Sequence, residues 1–390
     1  MTKKNNTLLI IIGIILAIIF GIFFPSIMNS LSFIGTIYIN LLKFMIFPII
    51  FTSIMTTIYK SKKFKNSYLI KTVFLFIIMF SLTFLLTSLI VTLLKPGNNY
   101  LFNNTIWSGS AIELNFTDIL VNLFPNNIVT MIQNNYLFAT IILSILCGYA
   151  AISAQNGDKV YIIIDGIKNM SYKILQYIMY LTPLAVFTLL GNAIASYGNI
   201  IFALGAKYIL IAYFCSIIAL ILIMILPAWL IGKINPIIYV KKVSKVWLMS
   251  ITTCSSVATL ATTMQVCNED LKIPSSITNI TIPLGCTIHM CGGAVSFALL
   301  AIFCSQIYSI DITIGNYIIM FISALLINMA APGIPNGGIV IGATYLQLLG
   351  IPLTFIGFYS GIYKLLDMAY TTLNVTGDIT ASIIINKYSK

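Results

Sequence analysis

Three stretches of this chain, residues 8–24, 72–94 and 209–231, are nearly unbroken runs of apolar side chains. Each approaches or exceeds the roughly 20 residues a helix needs to cross a bilayer. In lipid the backbone must satisfy its own hydrogen bonds, so runs of this kind can only be helices. Composition extends the inference to the whole chain. Of its 390 residues, 59% are hydrophobic and 8% are charged, against about 25% charged in ordinary soluble domains; mean hydropathy is +1.02. An all-α polytopic membrane protein is expected. Residues 8–24, behind Lys3 and Lys4, could pass for a signal peptide. With no small-residue cleavage site and many further spans, they are expected to form the first transmembrane helix.

The net charge is +12, carried by lysine without a single arginine. A basic excess alone would suit nucleic acid, but these lysines cluster between the apolar runs, so no nucleic-acid partner is expected. The groups are Lys3 and Lys4; Lys60, Lys62, Lys63 and Lys65; Lys159, Lys168 and Lys173; Lys233, Lys241, Lys242 and Lys245; and Lys387 and Lys390. The positive-inside rule places all five in the cytoplasm, with two spans between successive groups and both termini inside. Spans are expected at 7–28, 33–58, 69–94, 136–154, 172–198 and 206–232, with a polar, Asn-rich external loop and partial span over 96–135. The seven cysteines are scattered and form no CxxC pair, which supports neither a disulfide framework nor a zinc site.

The last helix carries charge where a membrane helix should not. Lys364, Asp367 and Asp378 lie in an otherwise apolar segment, and an ionised group at membrane depth costs roughly 2.5–3.5 kcal/mol. At about 100° per residue, Asn374 and Asp378 fall about 20° to either side of Asp367, Thr371 about 40° away, and Lys364 and Tyr370 within about 60°. One polar stripe results, suited to a charged ligand. An internal Lys364–Asp367 pair would explain those two residues and leave Asp378 and Asn374 unexplained.

After residue 240 the apolar segments are broken by small and polar residues at 252–259, 287–293 and 331–338. Irregular backbone at membrane depth is tolerated where protein or a watery cavity surrounds it, and paired broken helices mark the midplane site of secondary transporters. The breaks around Ser255-Ser256 and Pro332–Gly338 each read as a re-entrant hairpin.

These motifs together resemble the dicarboxylate/amino acid:cation symporter family, which has the glutamate-transporter fold. Leu42-Lys43-Phe44-Met45-Ile46-Phe47-Pro48-Ile49-Ile50-Phe51 is similar to its second-helix signature, and Ser255-Ser256-Val257-Ala258-Thr259-Leu260 to its first hairpin. Gly333-Ile334-Pro335-Asn336-Gly337-Gly338 resembles the second hairpin tip, and Asn374-Val375-Thr376-Gly377-Asp378 the last-helix motif. The resemblance implies eight transmembrane helices plus two re-entrant helical hairpins, an elevator-type transporter in the bacterial inner (plasma) membrane, and a homotrimer. Residues 1–235 would be mainly scaffold and trimerisation helices, with the third and sixth spans belonging to the transport domain. Residues 236–390 would form the core of that domain with both hairpins.

The resemblance also assigns roles. Asp367 would take the substrate amino group, and Asn374 with the Ser255–Ser256 backbone the α-carboxylate. Thr371, Gly293, Ile334 and Gly338 would complete the substrate site. Asp378 would hold a cation, with sodium as the metal candidate, helped by carbonyls near Gly285 and Asn374. No cofactor is implied beyond the coupling ion, H+ or Na+.

Two departures bear on function. Members that take acidic substrates carry arginine where Tyr370 stands, which favours a neutral amino acid here. Lys364, about 9 Å along the same helix, could instead supply the charge for glutamate, aspartate or a dicarboxylate. The Asn-Met-Asp-Gly motif of the seventh helix is here His289-Met290-Cys291-Gly292. Thiol and imidazole suit a hard cation badly, so at least one sodium site should be absent. The polar third-helix partners of that site also look lost, around Phe76–Phe80. His289, the only histidine, belongs to the residue type that changes charge near neutral pH. Two expectations follow for it: a proton carrier, or a neutral imidazole bracing the broken helix.

An enzyme is not expected. Asp367 and Asp378 are about 16 Å apart along one helix, and His289 and Cys291, two apart, would diverge on a regular helix. No filter or charge ring suggests a channel. A degenerate membrane protein that binds without transporting remains an alternative.

Overall fold

The computed structural model describes residues 3–61, 67–98, 126–133, 137–198, 200–329 and 337–388. Among them there is helix and no strand. The first half contains α1 (Lys3–Phe23), α2 (Pro25–Phe44), α3 (Ile46–Ser61), α4 (Ser67–Leu94), α5 (Ile128–Gln133), α6 (Leu137–Ser153), α7 (Gly157–Met179) and α8 (Thr182–Tyr197). It closes with α9 (Ile200–Ala219), which continues through a wider turn (Leu220–Ile225) into α10 (Leu226–Leu230). The second half contains α11 (Pro236–Thr253), α12 (Ser256–Gln265), α13 (Ser275–Ile288), α14 (Cys291–Ile307), α15 (Ile314–Met329), α16 (Gly337–Leu348) and the 34-residue α17 (Thr354–Lys387).

Among the described residues, three helical segments are each long and apolar enough to cross a membrane: Ile70–Leu94, Phe202–Leu230 and Ser275–Ile307, the last interrupted at His289 and Met290. Several expected spans have different bounds. The run expected at 7–28 stops at Phe23, because Pro25 restricts the residue before it and opens α2. The run expected at 33–58 is divided at Met45, with Pro48 in the first turn of α3, where a missing N–H is tolerated. The run expected at 172–198 begins within α7 and bends by 54° into α8, whose first turn carries Pro183.

Packing divides the helices into two neighbourhoods. In one, α1 and α2 lie against α8, and α3 lies against α6 and α7. In the other, α4 runs along α14, while α17 touches α9, α11, α13 and α14; α17 also meets α8. Helix association in lipid relies on close fit more than on hydrophobic exclusion. The Gly21 Cα supplies such a fit: a Cβ there would stand 2.9 Å from the Gly191 carbonyl oxygen on α8. Helix α4 is largely apolar, with two different faces. Phe76, Phe80, Phe84 and Val91 are buried toward α14, whereas Leu82, Leu85, Leu89 and Leu93 form an exposed stripe suited to lipid.

Two of the lysine groups meet around Asp165. Lys168 forms an ion pair with it, and Lys60 lies 3.8 Å away. Lysines of α3 and α7 that the charge rule assigns to one side of the membrane therefore do lie together.

Candidate functional site

The site is built where helices stop. Asn235 caps α11, its side chain accepting from the Ile237 N–H, and Pro236 begins the helix. The helix ends at Cys254, whose φ of 47° lies in the left-handed region. Ser255 then turns extended and caps α12, its hydroxyl oxygen accepting from the Ala258 N–H at 3.2 Å. This places the N-terminus of α12, with its free N–H groups and positive dipole end, inside the protein. A second stop separates α13 from α14, where His289 (φ −111°, ψ 106°) and Met290 (φ −134°, ψ 82°) are not helical. Residues 330–336, with Ile334 and most of the expected second hairpin tip, lie outside the described residues.

The polar stripe of α17 faces these ends. Asp367, Thr371, Asn374 and Asp378 are all buried, at 7%, 3%, 7% and 0% exposure. Three of them line a cavity of about 50 Å³: Asp367, Thr371 and Asn374. Ser256 lines it from α12, Gly338 from α16, Gly293 and Met290 from the break before and start of α14, and Tyr370 from α17 itself. Ser255 acts behind the cavity as the helix cap. Thr371 donates its hydroxyl to Asp367 Oδ1 at 3.1 Å, which fixes the carboxylate. Asn374 Oδ1 accepts the Gly292 N–H at 2.7 Å. That bond identifies the amide oxygen and leaves the NH2 group as the donor end of the side chain. An acid, a hydroxyl and an amide donor in one row can hold an ammonium and a carboxylate at once.

The selectivity candidates separate. Tyr370 is 2% exposed, and its hydroxyl has no hydrogen-bond partner. Lys364 is half-buried and lies against the thiol of Cys254, itself a lining residue. Ion pairs among the described residues include Lys60 and Lys168 with Asp165, Lys245 with Asp270, and His289 with Asp378.

The cation candidates come together, but through the histidine. His289 Nδ1 lies 2.8 Å from Asp378 Oδ1, and His289 Nε2 lies 3.0 Å from Cys291 Sγ. Phe76 of α4 stacks on the imidazole, with centroids 4.3 Å apart and planes 7° from parallel. Gly285 lies against the carboxylate: a Cβ there would fall 2.1 Å from Asp378 Oδ1. The expectation that His289 and Cys291 diverge is therefore corrected. They converge because the backbone between them is extended rather than helical. A Cys–His–Asp row results, but all three residues are at most 1% exposed, so no nucleophile is presented to water or to a substrate.

Sequence reasoning missed Asn328 at the end of α15. Its side chain lines the cavity, it is 1% exposed, and its Oδ1 has no hydrogen-bond partner. Gly293 makes room for it, since a Cβ there would come within 2.3 Å of that oxygen. An amide directly after the apolar run 317–327 was the available signal. Tyr363 was also missed. Its hydroxyl fills the space beside Gly338, where a Cβ would clash at 1.8 Å.

Comparison with known proteins gives concordant matches. The model of the sodium:dicarboxylate symporter family matches residues 7–388. The chain is 25% identical to a proton/glutamate-aspartate symporter of Bacillus subtilis, over 100% of this chain and 96% of that protein. It is 26% identical to a proton/sodium-glutamate symport protein of Geobacillus stearothermophilus, covering 97% and 93%. It is also 24% identical to a C4-dicarboxylate transport protein of Bacillus subtilis, covering 98% and 93%.

Proposed function

The chain belongs to the sodium:dicarboxylate symporter family, and from that premise we propose that it carries an amino acid across the plasma membrane in the cavity on α17. It is a multi-pass membrane symporter, and a proton or sodium fits as the coupling ion. One observation carries the substrate reading: Asp367, Thr371 and Asn374 line a single cavity, and the Asn374 oxygen is already bonded to Gly292. The substrate ammonium sits on Asp367. Its α-carboxylate sits on the Asn374 amide and the N-terminus of α12 at Ser255 and Ser256. In this reading residues 236–390 form the core of an elevator-type transport domain and residues 1–235 mainly a trimeric scaffold. The whole protomer has eight spans and two hairpins.

The substrate we infer is an acidic amino acid, glutamate or aspartate. Relatives named for those amino acids support this, and Lys364 beside Cys254 offers a positive charge at the cavity. A second reading, a neutral amino acid such as serine, alanine or cystine, is favoured by the lining itself. Among its described residues Asp367 is the only charged side chain, and Tyr370 brings an uncharged hydroxyl. Uptake of labelled aspartate into proteoliposomes, competed by a panel of amino acids and dicarboxylates, separates the two. Competition by glutamate and not by alanine or serine supports the acidic substrate, and the reverse order supports the neutral one. Binding without uptake would mark a protein that has lost transport.

A further inference from the structure

The buried carboxylate at Asp378 already has an occupant. An ionised Asp378 accepts from His289 Nδ1–H at Oδ1, while Nε2 faces the Cys291 thiol at 3.0 Å in a role set by the ring's protonation. The imidazole is wedged in place. Phe76 stacks on it, and at Gly377 a Cβ would come within 2.4 Å of Cε1, so the ring rests on the backbone of α17. On its other side the carboxylate presses on the α13 backbone at Gly285; Oδ2 also lies over Gly285, without a hydrogen-bond partner.

Asp378, His289 and Cys291 form a line with the ring in the middle, and no three such side chains converge on a point among the described residues. A sodium ion at Asp378 Oδ1 would have to displace the ring. Its neighbours would then include an imidazole and a thiol, both poor partners for a hard cation. Sodium does not fit at Oδ1, and Oδ2 is closed in against the backbone at Gly285.

We propose that the His289 side chain takes the place of a coupling cation at Asp378, so that this end of the transport site binds no sodium. The chain has replaced a diffusible ion by a tethered group, and any sodium it uses is held elsewhere. This deepens the transporter reading and rests on it for the role of Asp378 as the cation end of the site.

The lone histidine allows a test on the unaltered protein. Purified chain containing isotope-labelled histidine gives nitrogen signals from one ring. Choline chloride is replaced by sodium chloride at constant pH and ionic strength, without substrate. Both ring signals are expected to stay where they are; a saturable shift with sodium overturns the proposal. Direct binding of radioactive sodium adds a second arm. Asp378→Asn is expected to bind as much sodium as wild type, and His289→Gly one more ion per chain, lost again in the double variant. A fall in bound sodium on Asp378→Asn alone, or no gain in folded His289→Gly, overturns it. Neither arm uses an amino acid, so a failure of the substrate reading would appear separately as absent uptake.

Discussion

Asn374→Ala separates the two tasks of one side chain. In the substrate-free protein the amide oxygen accepts the Gly292 N–H at 2.7 Å. Truncation leaves that buried donor unpaired, at a cost of about 1–3 kcal/mol in stability. In the complex the amide hydrogens meet the substrate α-carboxylate, and a hydrogen bond to a charged group is worth about 1.5–3 kcal/mol. That corresponds to a loss of affinity of about 10- to 150-fold. Thermal unfolding without ligand reads the first effect, and equilibrium binding of labelled aspartate reads the second. A ligand–protein double cycle isolates the contact. Aspartate with its α-carboxylate converted to an amide should lose affinity for wild type, and much less further affinity for Asn374→Ala. The reasoning is refuted if folded Asn374→Ala keeps the aspartate Kd within about threefold of wild type, or if the two losses add independently.

Three further outcomes are expected. Tyr370→Arg places a guanidinium in the cavity and should shift uptake toward glutamate and aspartate over alanine, measured as the ratio of kcat/KM values; an unchanged ratio removes Tyr370 from selectivity. Gly377→Ala drives a methyl to 2.4 Å from the His289 ring and should lower stability by about 1–3 kcal/mol, read as a lower Tm. Asn328→Ala removes an oxygen that has no partner in the substrate-free protein, so its Tm should hold while substrate affinity falls by about fivefold or more, the worth of about one hydrogen bond.

The last helix was legible because its polar residues keep the helical period over three turns, and Asp367, Thr371, Asn374 and Asp378 are indeed buried on it. The start of α12 was legible because Ser255 is a natural cap and stands in a run of small residues. Features that depend on a local break in the helix were not. Angular arithmetic set His289 and Cys291 apart, and two extended residues bring them within 3.0 Å. The same break turns the imidazole onto Asp378, a contact between residues 89 apart in sequence. Asn328 was hidden because one amide at the end of an apolar run has no period to betray its direction. Helix ends at Phe23 and Met45 were misjudged because hydropathy runs through them, while Pro25 and Pro48 decide where the backbone changes course.

The most direct measurement is amino acid accumulation in proteoliposomes bearing wild-type protein or Asp367→Ala, with an imposed proton or sodium gradient. Wild type should concentrate the substrate selected by the competition panel, and Asp367→Ala, correctly folded by its elution and Tm, should not. Accumulation by Asp367→Ala at the wild-type rate would contradict the placement of the substrate on the buried face of α17.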